Sequence, residues 1–306
     1  MVTRYRHRNV TWIDLESPTS EEVRELMNEY EIHPTVAEEL LLPTIKPKVE
    51  LYEGQYIYLI LHFPAFRHTH NTNSQNQEVD FIIGKDFLIT TRYDTIDPLH
   101  KFAQLFEVNS ILDKSDFASH AGYLFFYMVK KLYKALEHEL AYIIDALEEV
   151  ESEVFNGNEK EMVVELSRIS RDLLNFKQAL RLHKEILESF EVAGLGFFGS
   201  SFARELRALS SEYSRVEGGI NANFDSLLEL RETNNSLLFT KQNEVMKILT
   251  IMAFVTFPLS LIASIFGMNT TFLPIVGHPL DFWIIIGIMA VATTFFFIFF
   301  KHKHWL

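Results

Sequence analysis

The sequence predicts an α+β chain in three parts: an N-terminal cytoplasmic α/β domain over 1–115, a cytoplasmic helical hairpin and very long stalk helix over 116–246, and a two-helix transmembrane domain over 247–306. Three observations carry this prediction. Residues 1–110 alternate short β-branched and aromatic runs with short helical patterns, the apolar period lengthens to that of a helix from about Asp116, and residues 248–280 and 282–300 contain no Asp, Glu, Lys or Arg.

In the first part, strands are expected at Thr11 to Asp14, Lys48 to Tyr52, Gln55 to Phe63, Val79 to Ile83 and Phe87 to Thr91. Glu53-Gly54 and Gly84-Lys85-Asp86 supply the turns between them. Ser17-Pro18-Thr19-Ser20-Glu21-Glu22 opens a helix: a hydroxyl caps free backbone N–H groups, proline suits the first turn, and the acids meet the positive end of the dipole. Val23, Leu26, Met27 and Tyr30 form its apolar stripe, and His68 to Gln77 reads as a polar loop. Met1 to Arg8 is basic and no apolar run follows it, so no signal peptide is expected.

In the second part, helices over roughly 116–155 and 159–192 are predicted to form a hairpin around Phe155-Asn156-Gly157-Asn158. A further break is expected at Gly194 to Gly199. Beyond it, Phe202, Leu206, Leu209, Tyr213, Val216, Ile220, Phe224 and Leu227 recur at steps of three and four, a coiled-coil seam that needs partner helices from 116–192 or from other subunits. No proline interrupts the pattern before Pro258, so one helix is expected from about 202 to Phe266, roughly 100 Å long. Gly218-Gly219 is its weak point.

In the third part, Ile248 to Phe266 and Phe282 to Phe300 each have the length needed to cross a hydrocarbon core. Phe295 to Phe300 is apolar all round, unlike a helix on the surface of a soluble core. Lys241 and Lys247 precede the first span, Lys301 and Lys303 follow the second, and the connecting loop has no basic residue, which places both outer ends in the cytoplasm. Trp283 and Trp305 fall near the two interfaces.

All but one of the 41 acidic residues, and all but three of the 28 basic ones, lie in the first 246 positions, 40 against 25. That surplus of 15 negative charges repels nucleic acid and gathers cations. The chain has no cysteine, which excludes disulfides and thiolate metal sites. His68-Thr69-His70 and Lys301-His302-Lys303-His304 lack the i, i+4 spacing of a helical imidazole pair and read as solvated side chains. No phosphate loop, nucleophile elbow or catalytic triad pattern is present, so no enzyme is expected.

At the end of the first span stands Ile265-Phe266-Gly267-Met268-Asn269-Thr270, where a glycine stops the helix and a carboxamide is offered near the membrane surface. With Asn243-Glu244-Val245-Met246-Lys247-Ile248-Leu249-Thr250, Pro258-Leu259-Ser260, Trp305-Leu306, Trp12-Ile13-Asp14-Leu15 and Pro47-Lys48-Val49-Glu50, this motif resembles the CorA family of divalent-cation channels. The resemblance implies a homopentamer in the cell's inner membrane, whose first span lines a central pore, whose second faces lipid, and whose acidic cytoplasmic part senses Mg²⁺. It makes Gly267, Met268 and Asn269 the selectivity filter.

Residues spaced by three and four along the first span form one stripe: Asn243, Met246, Thr250, Ala253, Phe257, Ser260 and Ser264, with Leu249 beside it. The resemblance assigns this stripe to the pore, although Phe257 is bulkier than the methionine expected there. The absence of carboxylates between Glu244 and Asp281 argues against stripping the ion of its water. A ring of neutral amide oxygens accepts hydrogen bonds from the hydrated ion instead.

The family closes when magnesium bridges carboxylates of neighbouring subunits. Asp97 matches the first of these. Counting back from Asn243 for the second lands on Ala208, with Glu205 and Glu212 each about one turn away, and Glu205 is the choice. The transported ion is expected to be Mg²⁺, with Co²⁺, Ni²⁺ or Zn²⁺ as further candidates. Zinc transporters of the same superfamily usually vary the middle residue of the Gly-x-Asn turn, so Met268 favours magnesium. A non-conducting, membrane-anchored coiled-coil scaffold is the alternative from another class, and it needs no polar stripe.

Overall fold

The structure, a computed structural model, describes residues 1–52, 54–65, 76–93, 96–112, 120–268, 275, 277, 279–303 and 305. The chain forms two compact units, Met1–Arg231 and Glu232–Leu306.

The first unit is built on a six-stranded sheet in the order β1 (Val2–His7), β2 (Val10–Glu16), β6 (Phe87–Arg92), β5 (Asn76–Ile83), β4 (Tyr56–Pro64) and β3 (Lys48–Tyr52). Strands β3 to β6 form an antiparallel meander, and β6 then lies parallel to β2. The expected strands are all present, each within three residues of its predicted ends. The sequence reading missed β1, which pairs antiparallel with β2 from Val2↔Leu15 to His7↔Val10. Its basic character masked a period of two, in which Arg4 and Arg6 point to solvent and charge the edge of the sheet. The two-residue connection puts Arg8 at φ 49°.

Helix α1 (Ser20–Glu29) is capped two residues later than a first-turn proline at Pro18 would require. Thr19, not Ser17, is the N-cap: its hydroxyl accepts from the Glu22 N–H, and Glu22 reaches back to the Thr19 N–H at 2.8 Å. Pro18 therefore precedes the cap rather than sitting in the first turn. Helix α1 and the short α2 (Pro34–Glu39) cover one face of the sheet, where Val23, Leu26, Val36 and Leu40 meet Ile13, Tyr58, Ile60, Ile82 and Ile89. Of the segment expected to be a polar loop, residues 68–75 lie outside the described residues, and Asn76 and Gln77 begin β5.

The other face is aromatic. Trp12 meets Phe102 and Phe106 of α3 (Asp97–Leu112), and Phe81 meets Phe125 of α4 (Ala121–Phe155) edge to face. Each such ring, fully buried, contributes roughly 1.5–3 kcal/mol. The Trp12 indole N–H donates to the Thr90 hydroxyl, which donates to Asp14, and Asp14 also accepts from Arg92.

Helix α4 ends at Phe155, and the hairpin turns at Asn156-Gly157, with Gly157 at φ 99°. The helix predicted over 159–192 is two helices, α5 (Glu159–Leu180) and α6 (His183–Phe198). Neither glycine nor proline marks the break. What fixes it is His183, buried completely: its Nε2 donates to the His62 carbonyl of β4 at 2.7 Å and its Nδ1 accepts from the Tyr133 hydroxyl of α4 at 2.8 Å. The expected break at Gly194 to Gly199 narrows to Gly199 alone, at φ 87°.

After a single 3₁₀ turn at Ser200–Phe202, α7 (Ala203–Phe266) runs for 64 residues without interruption, through Gly218-Gly219 as well. Its seam residues Phe202 to Leu227 are buried except for Phe224, which is partly exposed. Partners come from the same chain: Leu206 beside Gly194, Tyr213 beside Tyr133 and His183, Gly219 beside Leu140, and Phe224 under Lys177. The second unit contains the rest of α7 and α8 (Asp281–His302). Both α7 and α8 are long and apolar enough to cross a membrane.

Burial lowers the His183 pKa from 6.5 to about 4. Between those values the unfolded chain binds the extra proton, so this stabilisation is complete above pH 6.5 and is lost as pH falls toward 4, by up to about 3 kcal/mol. Thermal unfolding of the first unit across that window is expected to show the loss in wild type. In His183→Gln the loss should be absent.

Candidate ion pathway and metal-sensing carboxylates

In the second unit, Ile251 and Phe300 are buried, the Phe254 and Phe300 rings lie 6.2 Å apart, and Trp305 stacks on Phe300 at 5.8 Å. Helical spacing puts Lys247, Phe254, Pro258 and Ile262 on the same side of α7 as Ile251. The stripe of Asn243, Met246, Leu249, Thr250, Ala253, Phe257, Ser260 and Ser264 is centred roughly 120° around the axis from that side. Within one chain it has no cover: Met246, Leu249 and Phe257 are all more than half exposed.

The stripe's polarity is modest. The Thr250 hydroxyl donates to the Met246 carbonyl at 2.7 Å, which commits its proton to the helix and leaves only its lone pairs outward. Pro258 has no N–H for the Phe254 carbonyl, but that free acceptor lies on the Ile251 side and adds nothing to the stripe. With no carboxylate in the span, the surface can accept hydrogen bonds but offers no direct anionic ligand.

The helix ends at the expected residue. Gly267 N–H donates to the Ala263 carbonyl at 2.9 Å and Met268 N–H to that of Ile265 at 3.3 Å. A Cβ at position 267 would come within 3.0 Å of the Ala263 oxygen, so the last turn closes tightly only with glycine there. Met268 is exposed. Asn269, the central residue of the expected filter, lies outside the described residues.

The carboxylates expected to sense metal stand in the first unit. Asp97 begins α3, and its side chain is outside the described set. Glu205, near the start of α7, is 6% exposed and paired with Arg204 at 2.8 Å, while the Arg204 side chain is itself 91% exposed. Glu212 is also buried and lies between Lys130 at 3.2 Å and Arg215 at 3.0 Å. Counting from Asn243 could not separate these acids. In the structure Glu212 is held by two cations, one from another helix, and Glu205 is paired with its exposed neighbour Arg204. Ala208 lies between them, half-buried. No group of three or more His, Asp or Glu among the described residues is arranged to hold a metal within one chain.

The CorA-like Mg²⁺ transporter family matches residues 8–302. The chain belongs to that family. It is 26% identical over 301 residues to the cobalt/magnesium transport protein CorA of Thermotoga maritima, covering 97% of this chain and 83% of the relative. It is 23% identical over 296 residues to the protein of the same name from Methanocaldococcus jannaschii, covering 96% and 91%. The solved CorA magnesium transporter of Methanocaldococcus jannaschii superposes with a TM-score of 0.84 at 21% identity, over 99% of this chain and 93% of that one, which establishes the fold.

This CorA chain is thus a divalent-cation transporter and a membrane protein. Its sequence did not single out Phe254 and Phe300 as rings that meet between the two spans, because in an apolar span every side chain looks alike. Of the histidines considered, 68 and 70 lie outside the described residues, as does 304, and His302 ends α8. Truncating Phe300 to alanine removes the buried ring that Phe254 and Trp305 share and is expected to destabilise the second unit by roughly 2–4 kcal/mol. Val291→Ala, at an exposed position of α8, should cost far less, and thermal unfolding of the detergent-solubilised chain compares the two.

Proposed function

We propose that this CorA protein is a homopentameric channel of the cell's inner membrane that passes hydrated Mg²⁺ through a pore lined by α7, with both termini in the cytoplasm. The observation that carries this reading is the position of the Asn243–Ser264 stripe, on the side of α7 turned away from Ile251 and Phe300, in a chain whose family transports divalent cations. Five copies of that stripe around one axis give polar rings at Asn243 and Ser260, with apolar rings at Met246, Leu249 and Phe257. In such a pore, α8 faces lipid.

The chemistry follows from magnesium's grip on its water. Stripping the octahedral shell is costly, so selection acts on the hydrated ion, and a ring of Asn269 carboxamide oxygens accepts hydrogen bonds from the shell without replacing it. Gly267 lets the last turn close so that the amides stand at the mouth. The surplus of acidic residues in the first 246 positions raises the local cation concentration on the cytoplasmic side. Constrictions at Met246 and Leu249 shut by excluding water.

Intracellular Mg²⁺ closes the channel by bridging Asp97 of one subunit to Glu205 of the next. Glu205 exchanges the exposed Arg204 for the metal, a substitution of one cation for another that leaves its buried carboxylate compensated. Co²⁺ accompanies Mg²⁺ as substrate, in line with the names of the Thermotoga and Methanocaldococcus relatives, and Ni²⁺ and Zn²⁺ are further candidates.

In proteoliposomes, Mg²⁺ influx is expected to fall at least about tenfold in Asn269→Ala, a loss of roughly 1.4 kcal/mol or more in the barrier. Asp97→Ala and Glu205→Ala should instead conduct at internal Mg²⁺ concentrations that silence wild type. Native mass spectrometry should count five subunits. Wild-type flux in Asn269→Ala, or a dimer, would overturn the reading.

A further inference from the structure

On the sheet face covered by α1 and α2, β5 places two carboxylates side by side: Glu78 and Asp80 alternate onto one face, Glu78 opposite His62 and Asp80 between Ile60 of β4 and Thr91 of β6. Asp80 is completely buried. The positive and N–H partners in this corner go elsewhere. Glu78 accepts from the Thr44 N–H at 2.8 Å, the Thr44 hydroxyl at 3.1 Å and the His62 Nε2–H at 2.9 Å, and Lys48 pairs with Glu39 at 2.7 Å and Glu50 at 3.3 Å.

Among the described residues, Asp80 is left with the Tyr93 hydroxyl, 3.3 Å from its Oδ2, and the neighbouring Glu78 carboxyl, while its Oδ1 has no hydrogen-bond donor. The same hydroxyl stands 3.1 Å from the Glu39 carbonyl. A phenol has one hydrogen, and these are two contacts with oxygen. If Asp80 were an anion, one contact would hold no hydrogen, and the buried charge would have no cation paired with it among the described residues. With a proton on the Asp80 carboxyl, both requirements are met. The Thr91 hydroxyl, directly across the ladder, is buried without a hydrogen-bond partner among the described residues, and that of Tyr58, on the same face, interacts with Glu39, so neither solvates an anion at Asp80.

We propose that Asp80 is a protonated carboxylic acid at neutral pH and, with Glu78 and Tyr93, forms a proton-held clasp that fastens residues 39–44 to the sheet. Tyr93 fixes the Glu39 backbone and Glu78 fixes Thr44, so both ends of the segment that follows α2 depend on this corner. Losing the proton sets Asp80, Glu78 and Glu39 against one another, offset among the described residues by Lys48, and by His62 when protonated. The segment then loosens. Burial and the neighbouring Glu78 both hold the Asp80 pKa well above its ordinary value of 3.8.

The sign follows from that raised value. The folded chain holds the proton more tightly than the unfolded one, so the clasp is strongest below pH 3.8 and weakens as pH rises to the folded pKa. His183 acts in the opposite direction, so the whole-protein curve mixes the two, and a local readout is needed.

In the full chain in detergent, hydrogen exchange of residues 39–47 should lose protection as pH rises, by up to about tenfold per pH unit beyond the intrinsic rate. In Asp80→Asn, whose amide keeps a hydrogen without the charge, protection should not change with pH. Infrared spectra of wild type should show the carbonyl band of a buried carboxylic acid, missing in Asp80→Asn and bleaching over the same pH range. If Asp80→Asn does not accumulate, the pH titration of that band in wild type decides by itself. Absence of the band at neutral pH overturns the proposal, as does protection of 39–47 that depends on added Mg²⁺, which would make a cation the clasp.

Discussion

A polypeptide entering hydrocarbon must satisfy its backbone N–H and C=O groups from within, and the rest of this protein is arranged around that requirement. Helix α7 meets it by remaining helical from Ala203 to Phe266, beyond the reach of any cap or turn residue until Gly267. In water, most of a helix's stability comes from packing its apolar face rather than from propensity. The α7 seam from Phe202 to Leu227 supplies that packing against α4, α5 and α6, so one element carries a water-soluble core at one end and a membrane span at the other.

Two kinds of buried polarity accompany that apolar packing. Around His183, every hydrogen has an acceptor: the imidazole joins the sheet at His62 to α4 at Tyr133, and its neutral form is enforced by burial. Around Asp80, the count of hydrogens falls one short unless the carboxyl is protonated. Both sites tie the sheet to the elements packed on it, and both exist because a buried polar group without a partner is costlier than one that holds or refuses a proton.

How much of the site was legible varied with the physics behind each residue. The stripe from Asn243 to Ser264 follows from spacing and its proposed pore role from the resemblance, and the structure adds that the buried Ile251 lies on another side of α7. Gly267 was legible as a helix stop. Counting did not separate Glu205 from Glu212, and what the structure adds is a difference in their surroundings that the sequence does not carry, Arg204 beside the first and both Lys130 and Arg215 beside the second. His183 gave no signal at all: an imidazole inside an apparently continuous helical pattern carries no mark of the carbonyl and phenol that bury it. The same holds for Asp80, whose neighbours Glu39, Tyr93 and Tyr58 are distant in sequence.

By itself, the sequence determined which two segments are long and apolar enough to cross a membrane, which long helix continues into the first of them, and the strands that alternate with a period of two. These are local properties, set by charge, length and repeat. Tertiary structure alone decided that α5 and α6 are separate, that a basic edge strand completes the sheet, that the α7 seam is covered by its own chain, and that one side of the first span is taken by the second. Each of those outcomes depends on which distant side chain supplies a partner, and a one-dimensional pattern does not carry that information.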